Sequence, residues 1–489
     1  MDKILTNGES GALEQVYTHV EGPLYADRVK VYPQRIAGLF RRFKWAVLGL
    51  LLTIYYVTPW LRWDRGPGAP DQAVLVDMPG RRIYVFWIEI WPQEIYYLAA
   101  VLILAAITLF LVTSLFGRVW CGFSCPQTVW TDLFIWVERA IEGDRNKRIK
   151  LDQSPLNGAK VAKKAMKHGA WLLIAFATGG AWIMYFNDAP TVVRNILTGQ
   201  ASSTVYGFTA LFTATTYVLA GWAREQVCIY MCPWPRFQAA MFDEHTMLVT
   251  YEAWRGEPRG KAKAGSSPEG RGHCIDCGLC VRVCPTGIDI RKGQQLDCIG
   301  CGLCIDACNS VMEKMNWPKE LITYDSLSNQ ACRTRREPES LHLLRPRTFI
   351  YVAILLAGVT AMLTSLLLRS GLEVTVQPDR APLFVQLSNG GIQNGYTVKI
   401  INKTRQDRNF ALSLKGLHGA FISVVGHEDD GQLPKLPVKG DSVGTFRVFV
   451  RTAAGADIES SVPVSFIVSE VEDGEINSYG TYFHGPQRQ

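Results

Sequence analysis

The last 150 or so of the 489 residues contain no cysteine, which leaves that region compatible with an oxidising compartment. No C-x-x-C-H occurs, so c-type haem is excluded. None of the eight histidines pairs with another inside an apolar run, which argues against b-type haem. His168, His245 and His342 read as surface or interfacial residues. No flavin or nicotinamide fingerprint is present, so any electron donor is a partner or a small reductant. Residues 1–34 lack the apolar run of a signal peptide.

Apolar residues make up 48% of the chain, while the charged ones gather in certain segments. The net charge of +7 could suggest nucleic acid. Its positive residues flank apolar runs instead, which is the pattern of a membrane protein, and nucleic acid is not an expected partner.

Five segments are apolar enough to cross a bilayer, for which about 20 residues are needed. They are Trp45–Leu61, Ile95–Phe116, Gly169–Phe186, Thr204–Ala223 and Thr348–Leu368. Arg35, Arg41, Arg42 and Lys44 precede the first, and nine Lys or Arg from Arg139 to Lys167 separate the second from the third. The 187–203 connection holds only Arg194. This asymmetry predicts a cytoplasmic N-terminus and, with an odd number of spans, an outer C-terminus.

Two of these runs end alike. "RVWCGFSCPQ" (118–127) follows the second, and "EQVCIYMCPWP" (225–235) follows the fourth. Both would emerge on the cytoplasmic face, as a short internal repeat of Arg, C-x-x-x-C-P and an aromatic amphipathic segment. Each proline suits the first turn of a helix, which places a cysteine near a helix N-terminus, where thiolate is favoured. The plainer reading is that these cysteines pack as small hydrophobes; the repetition at one face favours thiol chemistry.

Between the fourth and fifth runs, a Gly/Pro/Lys-rich linker leads into "CIDCGLCVRVCP" and then "CIGCGLCIDACN". The spacing C-x-x-C-x-x-C-x-x-x-C, twice over, is the bacterial two-cluster ferredoxin pattern. Zinc is the weaker reading of such pairs. The fourth ligand of each cubane comes from the other copy. One 4Fe–4S cluster would take Cys274, Cys277, Cys280 and Cys308; the other would take Cys298, Cys301, Cys304 and Cys284. Gly278 and Gly302 let the backbone turn close to the sulfurs. Two such clusters form an electron relay. Cys332 stands alone and reads as a free thiol.

From about Glu373 the chain changes to short alternating runs, such as "LEVTVQ", "GYTVKIIN" and "SVPVSFIVSE". Turn residues separate them, which predicts an all-β, immunoglobulin-like sandwich of roughly 110 residues. It lacks the Cys…Trp…Cys staple of antibody domains. The expected fold class is therefore multi-domain. Residues 1–44 form a cytoplasmic segment, 45–246 a four-span α-helical membrane bundle and 247–345 the ferredoxin insert. The fifth span covers 346–369 and the outer sandwich 370–489.

This order of parts, with "VWCGFSCPQTVW", "CIYMCPWPRFQ" and the cluster cysteines, resembles the cytochrome c oxidase accessory family CcoG, also called RdxA or FixG. The resemblance covers nearly the whole chain. It implies a protein of the bacterial inner membrane with a periplasmic C-terminal domain. It further implies a cupric reductase serving assembly of cbb3-type oxidases, with copper as substrate at Cys121, Cys125, Cys228 and Cys232. Soft thiolates favour Cu(I) over Cu(II), which fits that role. Implied partners are membrane lipid, oxidase assembly factors or a copper transporter or chaperone, and an unnamed electron donor; a homodimer is left open. Two other readings remain: a membrane electron conduit to another respiratory partner, and an assembly scaffold with structural clusters.

Overall fold

The computed structural model describes residues 30–486, apart from 67, 264, 266–269, 339–341, 428–433, 455–457 and 473. Most of the polar opening segment, part of the 255–273 linker and the 428–433 turn lie outside the described residues. The chain divides into two compact units, Met1–Met362 and Leu363–Gln489. The ferredoxin insert thus belongs to the same unit as the helices before it.

In the first unit, α1 (Leu39–Val57) and α2 (Tyr96–Phe116) precede α3 (Pro126–Glu142) and α4 (Arg145–Gln153). Then come α5 (Gly158–Met184), α6 (Ala189–Thr198), α7 (Ser203–Thr216) and α8 (Trp234–Met241). Among the described residues, two helical stretches are long and apolar enough to cross a membrane: Pro92–Phe116, and Pro346–Leu367, which forms α12. Their apolar side chains, Leu102 and Ile103 in one and Ile350 and Leu356 in the other, face outward. A helix that is apolar on its exposed surface suits lipid.

Helix boundaries depart from the apolar runs. Helix α1 starts at Leu39 rather than Trp45, and α5 starts at Gly158 rather than Gly169. Lysines are good helix formers, so the helix runs on where hydropathy falls. Asn157 sets the start of α5 by accepting from Lys160 N at 2.8 Å. Within the expected span, a Cβ on Gly179 would lie 2.9 Å from Thr209 O, so α5 and α7 approach through small residues. The 64–94 connection forms a three-stranded sheet that hydropathy did not reveal: β1 (Val74–Asp77), β2 (Arg82–Val85) and β3 (Ile88–Ile90). Buried Arg65 fastens it through the carbonyls of Pro70, Gln72, Ala73 and Phe86.

The segment after Cys232 was expected to be one amphipathic stretch. It is helical only through α8 and then pairs as β4 (Leu248–Tyr251) with β5 (Ile322–Asp325). Between these strands lie the cysteine helices α9 (Leu279–Val283) and α10 (Leu303–Met315), and α11 (Leu327–Arg335) follows. Gly278 and Gly302 precede α9 and α10 with φ of 63° and 70°, a conformation that favours glycine.

Helix α1 carries no capping side chain of its own. Asp306, on α10, supplies one: its carboxylate accepts from Phe40 N at 3.2 Å and Arg41 N at 2.8 Å. Arg41 in turn donates to Asp132 of α3 at 2.9 Å. The cluster-bearing region is thereby fixed to the start of α1 and to α3.

The second unit is a sandwich. One sheet runs β10–β12–β8–β6, with β7 (Val385–Gln386) also paired to β8; the other runs β11–β9–β13–β14. Their ranges are β6 (Leu372–Pro378), β8 (Ile392–Asn402), β9 (Arg408–Lys415), β10 (Phe421–Val424) and β11 (Lys435–Val438). The last three are β12 (Ser442–Arg451), β13 (Ser461–Glu470) and β14 (Ile476–His484). Alternate residues of β8 are buried from Ile392 to Ile400, as a period of two requires. Tyr396, Phe410, Phe466 and Phe483 fill the space between the sheets.

Replacing Asp306 by Ala should cost about 1–2 kcal/mol, the usual cost of losing a helix cap. The measurement is thermal unfolding, with limited proteolysis around residue 38. Unchanged stability and proteolysis would show that the cap is dispensable.

Candidate redox site

The two thiol loops share one backbone design. Each apolar helical run ends four residues before its first cysteine, at a residue with unusual φ: α2 at Gly117 (57°), and α7, continued by a wide turn over Tyr217–Ala223, at Arg224 (44°). Wide helical turns follow at Trp120–Ser124 and Val227–Met231, and each leads to a Cys-Pro step. Such π-type turns cluster at functional sites. The repeat therefore aligns Gly117 with Arg224 and Arg118 with Glu225, so the two arginines are not equivalent. Glycine suits this φ, whereas Arg224 stores strain there.

The four thiols are neighbours. Burial pushes Cys121 up to about 12, with Cys125, Cys228 and Cys232 adding to the shift while Arg118 opposes it. Burial likewise pushes Cys228 up to about 12, with Cys125 and Cys232 contributing. At Cys125, burial outweighs the backbone N–H groups of Thr128 and Gln127 that point at the sulfur. The helix-start position does favour thiolate, but burial wins. That reverses the expected direction. The Cys121 thiol donates to the buried Gln238 at 3.3 Å.

The eight ferredoxin cysteines border two cavities. Cys274, Cys277, Cys280 and Cys308 line one. Cys284, Cys298, Cys301 and Cys304 line the other, with Cys280 bordering both. Gly300 N donates to Cys298 Sγ at 3.4 Å. Burial pushes Cys298 and Cys308 up to about 12 and Cys280 up to about 11, a cost that a bound cationic centre would remove. Four soft donors round each apolar cavity fit an iron–sulfur cluster. Among the described residues, no three His, Cys, Asp or Glu side chains group as a site for a single metal ion.

The thiol loops touch the second cysteine loop directly. A Cβ on Gly122 would lie 3.0 Å from the carbonyls of Ile299 and Gly300 and 3.1 Å from Cys301 Cα. Cys121 and Cys228 pack against the apolar cluster that contains Cys301. Arg118 joins the three parts, donating to the carbonyls of Leu296, Cys298 (2.8 Å) and Pro235 (3.0 Å).

Other residues were less legible. His245 and His342 lie with ring centroids 4.4 Å apart and planes tilted by 32°, and His168 Nδ1 lies 2.8 Å from Tyr217 Oη. Cys332 sits on α11, away from both cysteine cavities.

Comparison with known proteins bears on this arrangement. A 4Fe–4S dicluster domain model matches residues 223–327, and a 4Fe–4S binding domain model matches 98–144. A model of the IG-like fold at the C-terminal of FixG matches 362–486. The nitrogen fixation protein FixG of Rhizobium meliloti is 46% identical, covering 96% of this chain and 95% of its own length. The chain belongs to the FixG/RdxA family. RdxB and RdxA of Cereibacter sphaeroides are each 48% identical, covering 94% and 89% of this chain and 97% and 92% of their own lengths. This FixG-family chain is thus a 4Fe–4S redox protein with an immunoglobulin-like C-terminal domain.

Thiols with raised pKa carry protons at neutral pH and must lose them to bind a soft ion. Binding of a thiophilic probe such as Cu(I) should therefore release protons and strengthen about tenfold per pH unit for each proton displaced. Titration calorimetry in buffers of different ionisation enthalpy measures this. Affinity independent of pH would show that the thiols are already ionised.

Proposed function

We propose that the protein reduces Cu(II) to Cu(I) at the face where the two thiol loops meet the ferredoxin region, for assembly of a cbb3-type oxidase. Cys121, Cys125, Cys228 and Cys232 bind the copper, closing on it from positions that, among the described residues, do not yet group as a metal site. The two crossed sets, Cys274, Cys277, Cys280 and Cys308, and Cys298, Cys301, Cys304 and Cys284, hold 4Fe–4S clusters. Bound there, the clusters supply one-electron storage and transfer. Each Cu(II) gains one electron, which originates in a partner or small reductant on the cytoplasmic side. Thiolate sulfur holds the Cu(I) product more tightly than it holds Cu(II).

The observation that carries this reading is the backbone contact of Gly122 with Ile299–Cys301. It puts the first thiol loop against the cysteine loop 298–301, with no room for a side chain between them. In this reading five helices cross the bacterial inner membrane. The N-terminus is cytoplasmic and the sandwich periplasmic. Outward apolar side chains on all five support this: Leu50 and Ile54, Leu102, Leu173 and Phe176, Phe208 and Leu211, and Leu356. The copper passes to assembly factors, or to a transporter or chaperone.

Crossed ligation has its own test. Cys284→Ser should damage the cluster held mainly by the second copy, and Cys308→Ser the one held by the first, each with about four irons lost. Cluster-resolved spectra with iron analysis read this. Loss of the cluster of the same copy would rule out crossing.

The copper test uses Cys121→Ser/Cys125→Ser and Cys228→Ser/Cys232→Ser proteins. Each should lose far more than half of copper binding and of Cu(I) formation while keeping about eight irons. Normal copper reduction in both would remove the thiols from the mechanism. A second reading has one observation behind it. The 98–144 stretch matches a 4Fe–4S binding domain yet contains only Cys121 and Cys125. A further cubane there would need Cys228 and Cys232 as well. Wild-type iron near twelve rather than eight, falling to eight in both variants, would establish that reading.

A further inference from the structure

One cavity of the first unit, bordered by the start of the second thiol loop, measures about 540 Å³. That is within the range of small-molecule sites, about 300–1,000 Å³. It lies where α5 passes from its charged first turns into its apolar stretch. Lys160, Lys164 and Lys167 line it at positions i, i+4 and i+7 of that helix, so they form one stripe. Lys30 and Arg224 complete the cationic wall. Buried Trp171 is a further wall, with Lys167 Nζ 4.8 Å and Arg224 Cζ 5.2 Å from its ring. Trp222, 58% exposed, stands at the rim.

The charges do not balance. These five cations face three carboxylates, Glu138, Asp152 and Glu225. Two further charged groups, Arg148 paired with Glu138 and Glu142 paired with Lys164 and Lys167, cancel each other. Among the described residues two positive charges are left over. Lys160 shows where the surplus lies: its ammonium donates to the main-chain carbonyls of Asp152 (2.9 Å) and Ser154 (2.5 Å), with no carboxylate in salt-bridge range among the described residues. Among the described residues, the carboxylate in salt-bridge range of Lys30 is Asp152, which also serves Lys164.

We propose that this cavity binds a phosphate-bearing anion. The ligand is either the headgroup of an anionic phospholipid or a soluble phosphate compound. A phosphate group brings one negative charge as a lipid diester and nearly two as a monoester or inorganic phosphate, against a surplus of two, and accepts hydrogen bonds from several ammonium groups at once. Either source has access, because the cavity opens at the level where α5 turns apolar and an exposed tryptophan marks its rim. Occupancy bears on the thiol loop: Arg224 lines the cavity, hydrogen-bonds Glu138 at 3.0 Å and stands four residues before Cys228. An anion beside Arg224 would share that guanidinium with Glu138.

The test uses the full-length protein in nanodiscs of phosphatidylcholine. In one arm inorganic phosphate is titrated; in the other, phosphatidylglycerol replaces part of the lipid. Thermal shift reads the first, and lipid retained in native mass spectrometry reads the second. Stabilisation by phosphate alone identifies a soluble ligand; retention of phosphatidylglycerol over phosphatidylcholine identifies a headgroup. Lys160→Gln should weaken the effective probe about tenfold, the loss expected for one charged hydrogen bond. Lys30→Gln, on a separate segment, should weaken it similarly, while Lys147→Gln, exposed and outside the cavity, should leave it unchanged. If neither probe binds, or if Lys147→Gln weakens binding as much as Lys160→Gln, the proposal is overturned.

Discussion

One buried carboxylate, Glu138, holds the two hairpins together. It sits on α3, just after the first thiol loop, and accepts from Arg148 at 2.9 Å and from Arg224 at 3.0 Å. Lys167 of α5 stands 3.7 Å away. Burial pushes the Glu138 carboxyl up, but Arg224, Arg148 and Lys167 outweigh it and hold it below the usual carboxylate range. Removing one partner from such a set leaves a charge buried without its counterion, the costliest kind of electrostatic loss. Arg224 belongs to the second thiol loop, and Arg148 also binds the carbonyl of Pro33. The first loop, the second loop and the entering chain thus converge on a single carboxyl group.

That convergence gives the strained Arg224 a physical reason. At the matching place in the first loop stands Gly117, where a Cβ would collide with Leu248 and the carbonyl of Met247. The second loop keeps the same backbone turn with a side chain attached, and the ion pair to Glu138 compensates the strain of about 1–3 kcal/mol. A two-fold repeat has been kept in the backbone and broken in the side chains. Arg118 reaches the cluster loop, while Arg224 reaches Glu138. One loop is fastened to the ferredoxin region and the other to the helices.

What could be read from the sequence depended on whether the signal was local. The cysteine spacings, the two Cys-Pro steps and the alternation of the C-terminal strands are short-range patterns, and the folded chain keeps them. The cap that Asp306 gives α1 spans more than 260 residues and leaves no mark near Leu39. The α5 start was hidden because lysine lowers hydropathy without lowering helix propensity. The β1–β3 sheet lay behind the short "VLVD" and "RIYV" runs, either side of a Pro-Gly turn and too short to stand out against the apolar spans. The thiol pKa direction was misread for a related reason: sequence shows the helix start, but burial is a property of the packed loops.

Burial of the thiols also bears on selectivity. A pair of exposed thiolates would attract many cations and oxidants alike. Here burial pushes the Cys121 and Cys228 thiols toward the protonated form, both pack on apolar side chains, and Cys121 donates to Gln238. An ion must repay both proton loss and disruption of that packing, which only one with strong affinity for sulfur can do. Hard ions such as Mg²⁺ prefer oxygen and gain nothing there. In the proposed copper-reducing role, the feature that defeats the simple helix-dipole expectation would therefore narrow the site to soft metals, beside the loop that carries Cys298 and Cys301.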